Sequence, residues 1–149
     1  MKSLMNDVAA FHKAMGCDPD ASTPLETPPD DLVKLRLKLI TEEFIETVYA
    51  MINPGWVDPK VETQAINLLI DQAPVRFDLL SCADGLADLI YVCVGAALSF
   101  GIPLDRVWAE VQRANMAKSG GPRRGDGKIL KPEGWVPPRI QQAVFGETA

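Results

Sequence analysis

Residues 32–49 read LVKLRLKLITEEFIETVY, and this stretch decides the fold. Its apolar side chains form one seam at helical spacing: Leu32, Leu35, Leu39 and Tyr49. Positions 42 and 46 fall on the same seam, yet both are glutamates. Glu43 lies on the same arc of the helix, about 100° from Glu42. The pattern predicts an amphipathic helix that carries three carboxylates on the face expected to pack.

A second predicted helix, over 76–100, repeats this anomaly. Its seam runs through Leu80, Tyr91, Gly95 and Leu98, and positions 84 and 88 of the same seam are aspartates. The apolar stretch within it is shorter than the ~20 residues of a membrane span. We therefore expect a buried core helix and no contact with a membrane.

The remaining chain also predicts helices joined by turns. The predicted helices cover 2–15, 30–52, 59–72, 76–100, 104–117 and a final turn or two within 138–145. Asp30 is a suitable N-cap, and Asn53-Pro54-Gly55 and Gly101-Ile102-Pro103 stop helices. The class is all-α, a bundle of about four to five helices in a single domain over 1–149. Residues 117–139 form an irregular basic C-terminal arm, with a tight turn or small hairpin near Gly125-Asp126-Gly127-Lys128.

The five seam acids favour a divalent metal. Burying a carboxylate costs several kcal/mol unless a positive charge compensates it. Oxygen donors favour Mg²⁺, with Mn²⁺ as a substitute, and the single histidine, His12, excludes a multi-histidine site. Two other interpretations stay open. The glutamates can form a solvated helix face, and the aspartates can pair with Arg76, Arg106 or Arg113.

Charge and cysteine content narrow the class of protein. The chain has a net charge of −5, and its arm (117–139) alone carries +4. An acidic body argues against general nucleic-acid binding, which needs a basic face. Three cysteines, Cys17, Cys82 and Cys93, have no metal-type spacing, which indicates a reducing, cytoplasmic setting.

Three motifs in order carry a family resemblance: LITEEFIE (39–46), ADGLADLIYV (83–92) and VQRANMAK (111–118). They resemble the all-α nucleoside triphosphate pyrophosphohydrolases, the superfamily of MazG-like proteins. The tail, GPRRGDGKILKPEGW (121–135), looks closest to the bacterial and phage MazG-like branch that includes a dUTPase. The resemblance implies a four-helix core and Mg²⁺-dependent hydrolysis of a (d)NTP between its α and β phosphates.

The resemblance also implies roles for individual residues. The implied metal ligands are Glu43, Glu46 and Asp88, with Asp84 expected as a fourth, and Glu42 is the residue that orients or deprotonates the attacking water. The implied substrate contacts are Asn115 and Lys118. From their charge or ring we also expect contacts from Arg123, Arg124, Lys128, Lys131 and Tyr91. The basic arm residues have a solvated tail as the alternative, and Tyr91 and Trp135 can stack on a base or pack in the core. One departure concerns the second motif, usually Glu-x-x-Asp: Gly85 stands three residues before Asp88, so Asp84 would have to supply the carboxylate.

Two further hypotheses stay open beside the enzyme. One is a non-catalytic nucleotide or metal sensor of the same fold, for which Gly85 is the sequence hint. The other is a helical partner protein whose acids meet a basic protein surface. Two long amphipathic helices make a thin monomeric core, so we expect a homodimer or a dimer of dimers. The sequence does not identify the base or sugar; dUTP is one candidate.

Overall fold

The computed structural model describes residues 2–16, 28–52, 58–125 and 128–146. Six helices lie within these residues: α1 (Lys2–Ala14), α2 (Asp30–Ile52), α3 (Pro59–Gln72), α4 (Leu79–Ser99), α5 (Leu104–Met116) and α6 (Ile140–Phe145). The described part of the chain contains no strand, only an isolated antiparallel bridge between Arg123 and Ile129. The all-α class is confirmed.

Local sequence explains where several helices begin and end. α2 begins at Asp30 itself, one residue earlier than the predicted N-cap role of Asp30 requires. Asp58 caps α3, because its side chain accepts a hydrogen bond from the Lys60 amide at 2.9 Å and Pro59 occupies the first turn. At the end of α4, Gly101 has a φ of 67° and the Ile102 amide donates to Ala97 O at 2.9 Å. The predicted start of α4 at residue 76 is wrong by three residues, since the helix begins at Leu79.

The chain divides into two compact units. One unit spans 25–79 and contains α2 and α3, which pack against each other. Lys34 Nζ donates to Asp71 O at 2.8 Å and Lys38 Nζ pairs with Asp71 Oδ1 at 2.6 Å, so both lysines of α2 fasten it to α3. Ile45 and Ile70 are buried in this unit.

The other unit comprises 1–24 and 80–149 and is built around α5. α1 packs on α5: Trp108 Nε1 donates to Asp7 Oδ2 at 2.8 Å, and Gln112 Nε2 donates to Asp7 O at 2.8 Å. α6 packs on α5 as well. The buried side chains of this unit are Met15, Ala97, Ala114 and Ala143.

α4 does not behave as the buried core helix that the sequence predicts. Only Ala97 is buried along it, and Leu80, Tyr91 and Leu98 are 80%, 79% and 76% exposed. Its unit packs mainly through α5 with α1 and α6, and α4 has no comparable helix partner there. The apolar face of α4 is therefore solvent-exposed in the single chain.

The length of α4 also corrects a sequence estimate. By length and composition alone, α4 is the one described helix that is long and apolar enough to cross a membrane. The prediction that the apolar stretch of this helix is too short to span a membrane was therefore wrong by length and composition. A single helix of this kind is weak evidence for a membrane.

Candidate active site

The glutamates of α2 lie in the unit formed by 25–79. Glu42 is half-buried, whereas Glu43 and Glu46 are exposed. Lys34 and Lys38 of the same helix are engaged with Asp71 on α3. The helix thus presents three carboxylates within five residues, two of them open to solvent.

Tyr49 ends the same seam of α2 and faces α3. Burial raises the pKa of Tyr49, and the carboxylate of Glu62 adds to the rise by hydrogen bonding and by its negative charge. The Tyr49 phenol is therefore neutral at physiological pH. At Tyr49 the seam of α2 again carries a side chain that packs against a neighbouring helix, after the carboxylates at positions 42 and 46.

The aspartates of α4 lie in the other unit. Asp84 and Asp88 are both exposed, and their four-residue spacing puts them on one face of the helix. Leu80, Tyr91 and Leu98 continue that face and are exposed as well. The expectation that these aspartates interrupt a buried seam is therefore wrong for the single chain, because the seam itself is uncovered.

Two of the proposed basic partners for the aspartates are engaged elsewhere. Arg106 donates to Val144 O at 3.3 Å. Arg113 donates to Pro137 O at 3.0 Å and pairs with Glu110 at 3.0 Å. Arg106 and Arg113 thus hold α6 and the end of the arm, which weakens the interpretation of the aspartates as structural ion-pair partners.

The described residues do not assemble a complete metal site. No three histidine, cysteine, aspartate or glutamate side chains among them come together as a potential metal site. The five predicted acids are divided between the two units, three on α2 and two on α4. Their donor chemistry fits a hard divalent cation, since all are carboxylates. Their convergence stays a prediction.

The predicted substrate contacts of α5 and the arm lie together in one unit. Asn115 is half-buried in the last turn of α5, and Lys118 follows directly after the helix. Trp135 Nε1 donates to Ala114 O at 2.7 Å, which ties the arm to this end of α5. Lys118 Nζ and Lys131 Nζ lie 5.9 and 4.6 Å from the centroid of the Trp135 ring. Lys118 and Lys131 thus lie beside one indole that is anchored at the end of α5.

The other basic residues of the arm shape its backbone turn. The Arg124 amide donates to Lys128 O at 2.8 Å and the Leu130 amide donates to Pro122 O at 2.7 Å. Arg123 donates its guanidinium to Met15 O, at the end of α1. A Cβ at Gly121 would collide with Leu130 O, so only glycine fits there. The described residues on either side of the predicted turn therefore pair in antiparallel fashion. Asp126 and Gly127 of the predicted turn lie outside the described residues.

The aromatic residues separate into two cases. Trp135 is half-buried and its indole nitrogen is bonded to the helix, so it is a packed residue of the arm. Tyr91 is 79% exposed, which contradicts core packing for Tyr91 in the single chain. The base-stacking role of Tyr91 stays a prediction.

Sequence reasoning missed Glu110, the best-organised charged group of this unit. Arg139 donates to it through Nε at 3.1 Å and through Nη2 at 2.9 Å, and Arg113 Nε donates to it at 3.1 Å. The Arg139 hydrogen bonds, followed by those of Arg113, lower the pKa of Glu110 to about 2. The i,i+3 spacing of Glu110 and Arg113 could have predicted their ion pair. No local sequence pattern could have predicted the contact of Glu110 with Arg139.

These observations define an all-helical protein with carboxylates on two helices and a lysine-bearing arm folded against a third. Residues 8–115 match the family described as phosphoribosyl-ATP pyrophosphohydrolase, and the chain belongs to this family. The match ends at Asn115, before the arm. The chain matches no curated protein. Membership places it among hydrolases of the pyrophosphohydrolase type that act on a nucleotide, within the MazG-like superfamily.

Proposed function

We propose that the chain is a Mg²⁺-dependent nucleoside triphosphate pyrophosphohydrolase that converts a (d)NTP, with dUTP as one candidate, to the monophosphate and pyrophosphate. The observation that carries this proposal is the set of carboxylates on α2 and α4 in a chain of this family. The reaction adds water across the α–β anhydride, so one P–O bond forms and one breaks. Neither the base nor the sugar follows from the site.

The metal ligands in this proposal are Glu43 and Glu46 of α2 with Asp84 and Asp88 of α4. When bound, Mg²⁺ neutralises phosphate charge and lowers the pKa of a coordinated water. Glu43, Glu46, Asp84 and Asp88 are all exposed residues. Mn²⁺ has the same preference for oxygen donors and should substitute.

The chain's own groups supply the remaining chemistry. Glu42, the half-buried glutamate, accepts the proton of the attacking water. Asn115 and Lys118 contact the substrate at the end of α5. Arg123, Arg124, Lys128 and Lys131 of the arm add positive charge near the phosphates, and Tyr91 offers its exposed ring to the base.

The same proposal includes a homodimer, or a dimer of dimers. The apolar face of α4 is exposed along most of its length in the single chain, and soluble monomers rarely leave such a contiguous face open. A second copy is the simplest cover, because one patch then serves both subunits. Free Cys82 and Cys93 are consistent with a cytoplasmic location, without nucleic acid or membrane as a partner.

A product assay tests the proposed reaction. The protein is incubated with Mg²⁺ and a panel of dNTPs, NTPs and phosphoribosyl-ATP, and the products are separated by ion-exchange chromatography. We expect a nucleoside monophosphate and pyrophosphate from at least one triphosphate, lost in Glu42→Gln but kept in Asp31→Asn, another acid of α2. A diphosphate with orthophosphate, or no turnover of any nucleotide, contradicts the proposal.

The sensor alternative rests on Gly85. At this position the usual glutamate of the resembled motif is missing, so the chain has one carboxylate fewer at the expected spacing. A sensor binds a triphosphate tightly, forms no product, and is indifferent to Glu42→Gln. The same panel, read by calorimetry and by product formation, separates the two functions.

A further inference from the structure

Trp135 is a side chain of the arm that is anchored directly to α5. Its indole Nε1 donates to Ala114 O at 2.7 Å, and Ala114 is only 2% exposed. This hydrogen bond connects residues 21 positions apart and fixes the ring beside the last turn of α5. The ring is therefore held by the helix and does not depend on the arm alone for its position.

Two lysines from opposite sides of the arm's turn converge on this ring. Lys118 Nζ lies 5.9 Å and Lys131 Nζ 4.6 Å from the ring centroid, both within cation–π range. Both ammonium groups thus lie close to one ring. The negative face of the indole attracts cations, so it holds both lysines beside the ring at the end of α5.

The arrangement favours an anion with several oxygens as the ligand of the two lysines. A polyphosphate has oxygens enough to accept hydrogen bonds from both ammonium groups, and such charge-assisted bonds are strong. A nucleobase is a poorer ligand for the ring, because Lys131 already occupies its face. The chemistry of the clamp therefore matches the phosphate chain of a substrate and its pyrophosphate product.

We propose that Trp135 is a positioning residue that holds Lys118 and Lys131 as a pyrophosphate-binding clamp. This inference rests on the proposed function, because it takes a phosphate chain as the ligand. Trp135 itself does not touch the phosphates. Its effect passes through the two lysines, so it acts on phosphate affinity and on KM more than on kcat.

Trp108 offers a matched control. It is also half-buried and also donates its indole nitrogen, to Asp7 Oδ2 at 2.8 Å, but no lysine lies over its ring among the described residues. Trp135→Leu and Trp108→Leu each remove one anchored indole. Only Trp135→Leu releases the lysines.

The test measures the dissociation constant (Kd) of inorganic pyrophosphate by calorimetry and KM for the best substrate. We expect Trp135→Leu to raise both by roughly tenfold, as Lys131→Met does, and Trp108→Leu to leave both within about twofold. Equal effects of the two tryptophan variants overturn the proposal. If Trp135→Leu does not fold, Trp135→Phe replaces it: the proposal then expects an intermediate loss of affinity, and an unchanged affinity overturns it.

A double variant separates positioning from mere stability. Trp135→Leu combined with Lys131→Met should lose little more pyrophosphate affinity than Lys131→Met alone, because both remove the same contact. If the losses of pyrophosphate affinity in the two single variants multiply in the double variant, the proposal is contradicted. A wild-type protein that binds no pyrophosphate also contradicts it. Pyrophosphate binding needs no turnover, so a failed clamp is distinguishable from a failed hydrolase assignment.

Discussion

Glu110 is a single side chain that joins α5 to the end of the arm. It accepts hydrogen bonds from Arg113 on its own helix and from Arg139 just before α6. The guanidinium groups favour the ionised carboxylate, which lowers its pKa from 4.5 to about 2. The folded protein therefore holds this carboxylate charged over a wider pH range than the unfolded chain does.

The low pKa of Glu110 predicts a pH-dependent stability. Because the folded-state pKa is depressed, the stabilisation is complete above about pH 4.5 and is lost as the pH falls toward about 2. Glu110→Gln should thus lower the melting temperature at pH 7, and the gap to wild type should shrink through this window. The measurement is thermal unfolding followed by circular dichroism.

The control for this pH prediction is Glu133→Gln, an exposed glutamate of the arm. It should change the melting temperature little at any pH. A gap between Glu110→Gln and wild type that persists unchanged to pH 2 contradicts the assigned role of the arginines.

In the proposed metal site, Gly85 stands where the resembled motif has a glutamate. A Cβ added at Gly85 meets nothing within 4 Å, so a larger side chain fits without displacing a neighbour. Gly85→Glu restores the carboxylate three residues before Asp88 and should raise the affinity for Mg²⁺ several-fold. It should also stabilise the helix by about 0.5–1 kcal/mol, since glycine is a poor helix former.

The measurement for Gly85→Glu is Mg²⁺ calorimetry beside urea unfolding, with Gly85→Ala as the matched control. Gly85→Ala should give the same gain in stability without the gain in metal affinity. Equal metal affinity in both variants would show that position 85 lies outside the site.

Helices are the scale at which the sequence is most informative. Proline, glycine and N-cap residues placed the helices, most of their ends within one or two residues of the observed ones, because these residues act on their own backbone. The sequence did not predict which helices pack against each other. The contacts of Asp7 with Trp108 and Gln112 join residues more than 100 positions apart, and no local pattern encodes them.

The contact of Asp7 with α5 predicts a measurable contribution to stability. Asp7→Ala removes the acceptor of the Trp108 indole and should lower the free energy of unfolding by about 1–3 kcal/mol. Asn6→Ala, at the neighbouring exposed position of α1, is the control and should be near neutral. Urea unfolding that shows equal effects of the two would remove the role assigned to Asp7.

At the scale of the whole molecule, α4 shows where sequence reasoning ends. The hydrophobic pattern correctly indicates a helix with an apolar face, but the pattern does not say which surface covers that face. Within the single chain the face is exposed, from Leu80 to Leu98. The sequence likewise showed which acidic residues lie on α2 and α4. Whether these carboxylates come together depends on how the helices assemble, which the sequence pattern does not show.

The exposed apolar face of α4 predicts that the protein forms a dimer or a larger assembly. Wild-type protein should sediment as a species of at least twice the 16.2 kDa chain mass. Leu98→Lys places a charge on the proposed interface and should shift the protein toward the monomer. Met5→Lys, at a 70% exposed position of α1, should leave the dimer intact. A wild-type protein that sediments only as the single chain contradicts the dimer.

Magnesium binding, measured by calorimetry, is the most direct test of the proposed function. The proposal requires that the α2 glutamates and the α4 aspartates bind a divalent ion together. Mg²⁺ or Mn²⁺ titrated into the wild-type protein should bind saturably, in the presence or absence of a non-hydrolysable triphosphate. Glu46→Gln on α2 and Asp88→Asn on α4 should each abolish or strongly weaken the binding, whereas Asp31→Asn should not. No uptake of either ion by the wild type, or uptake that survives the loss of Glu46 and of Asp88, would contradict the account.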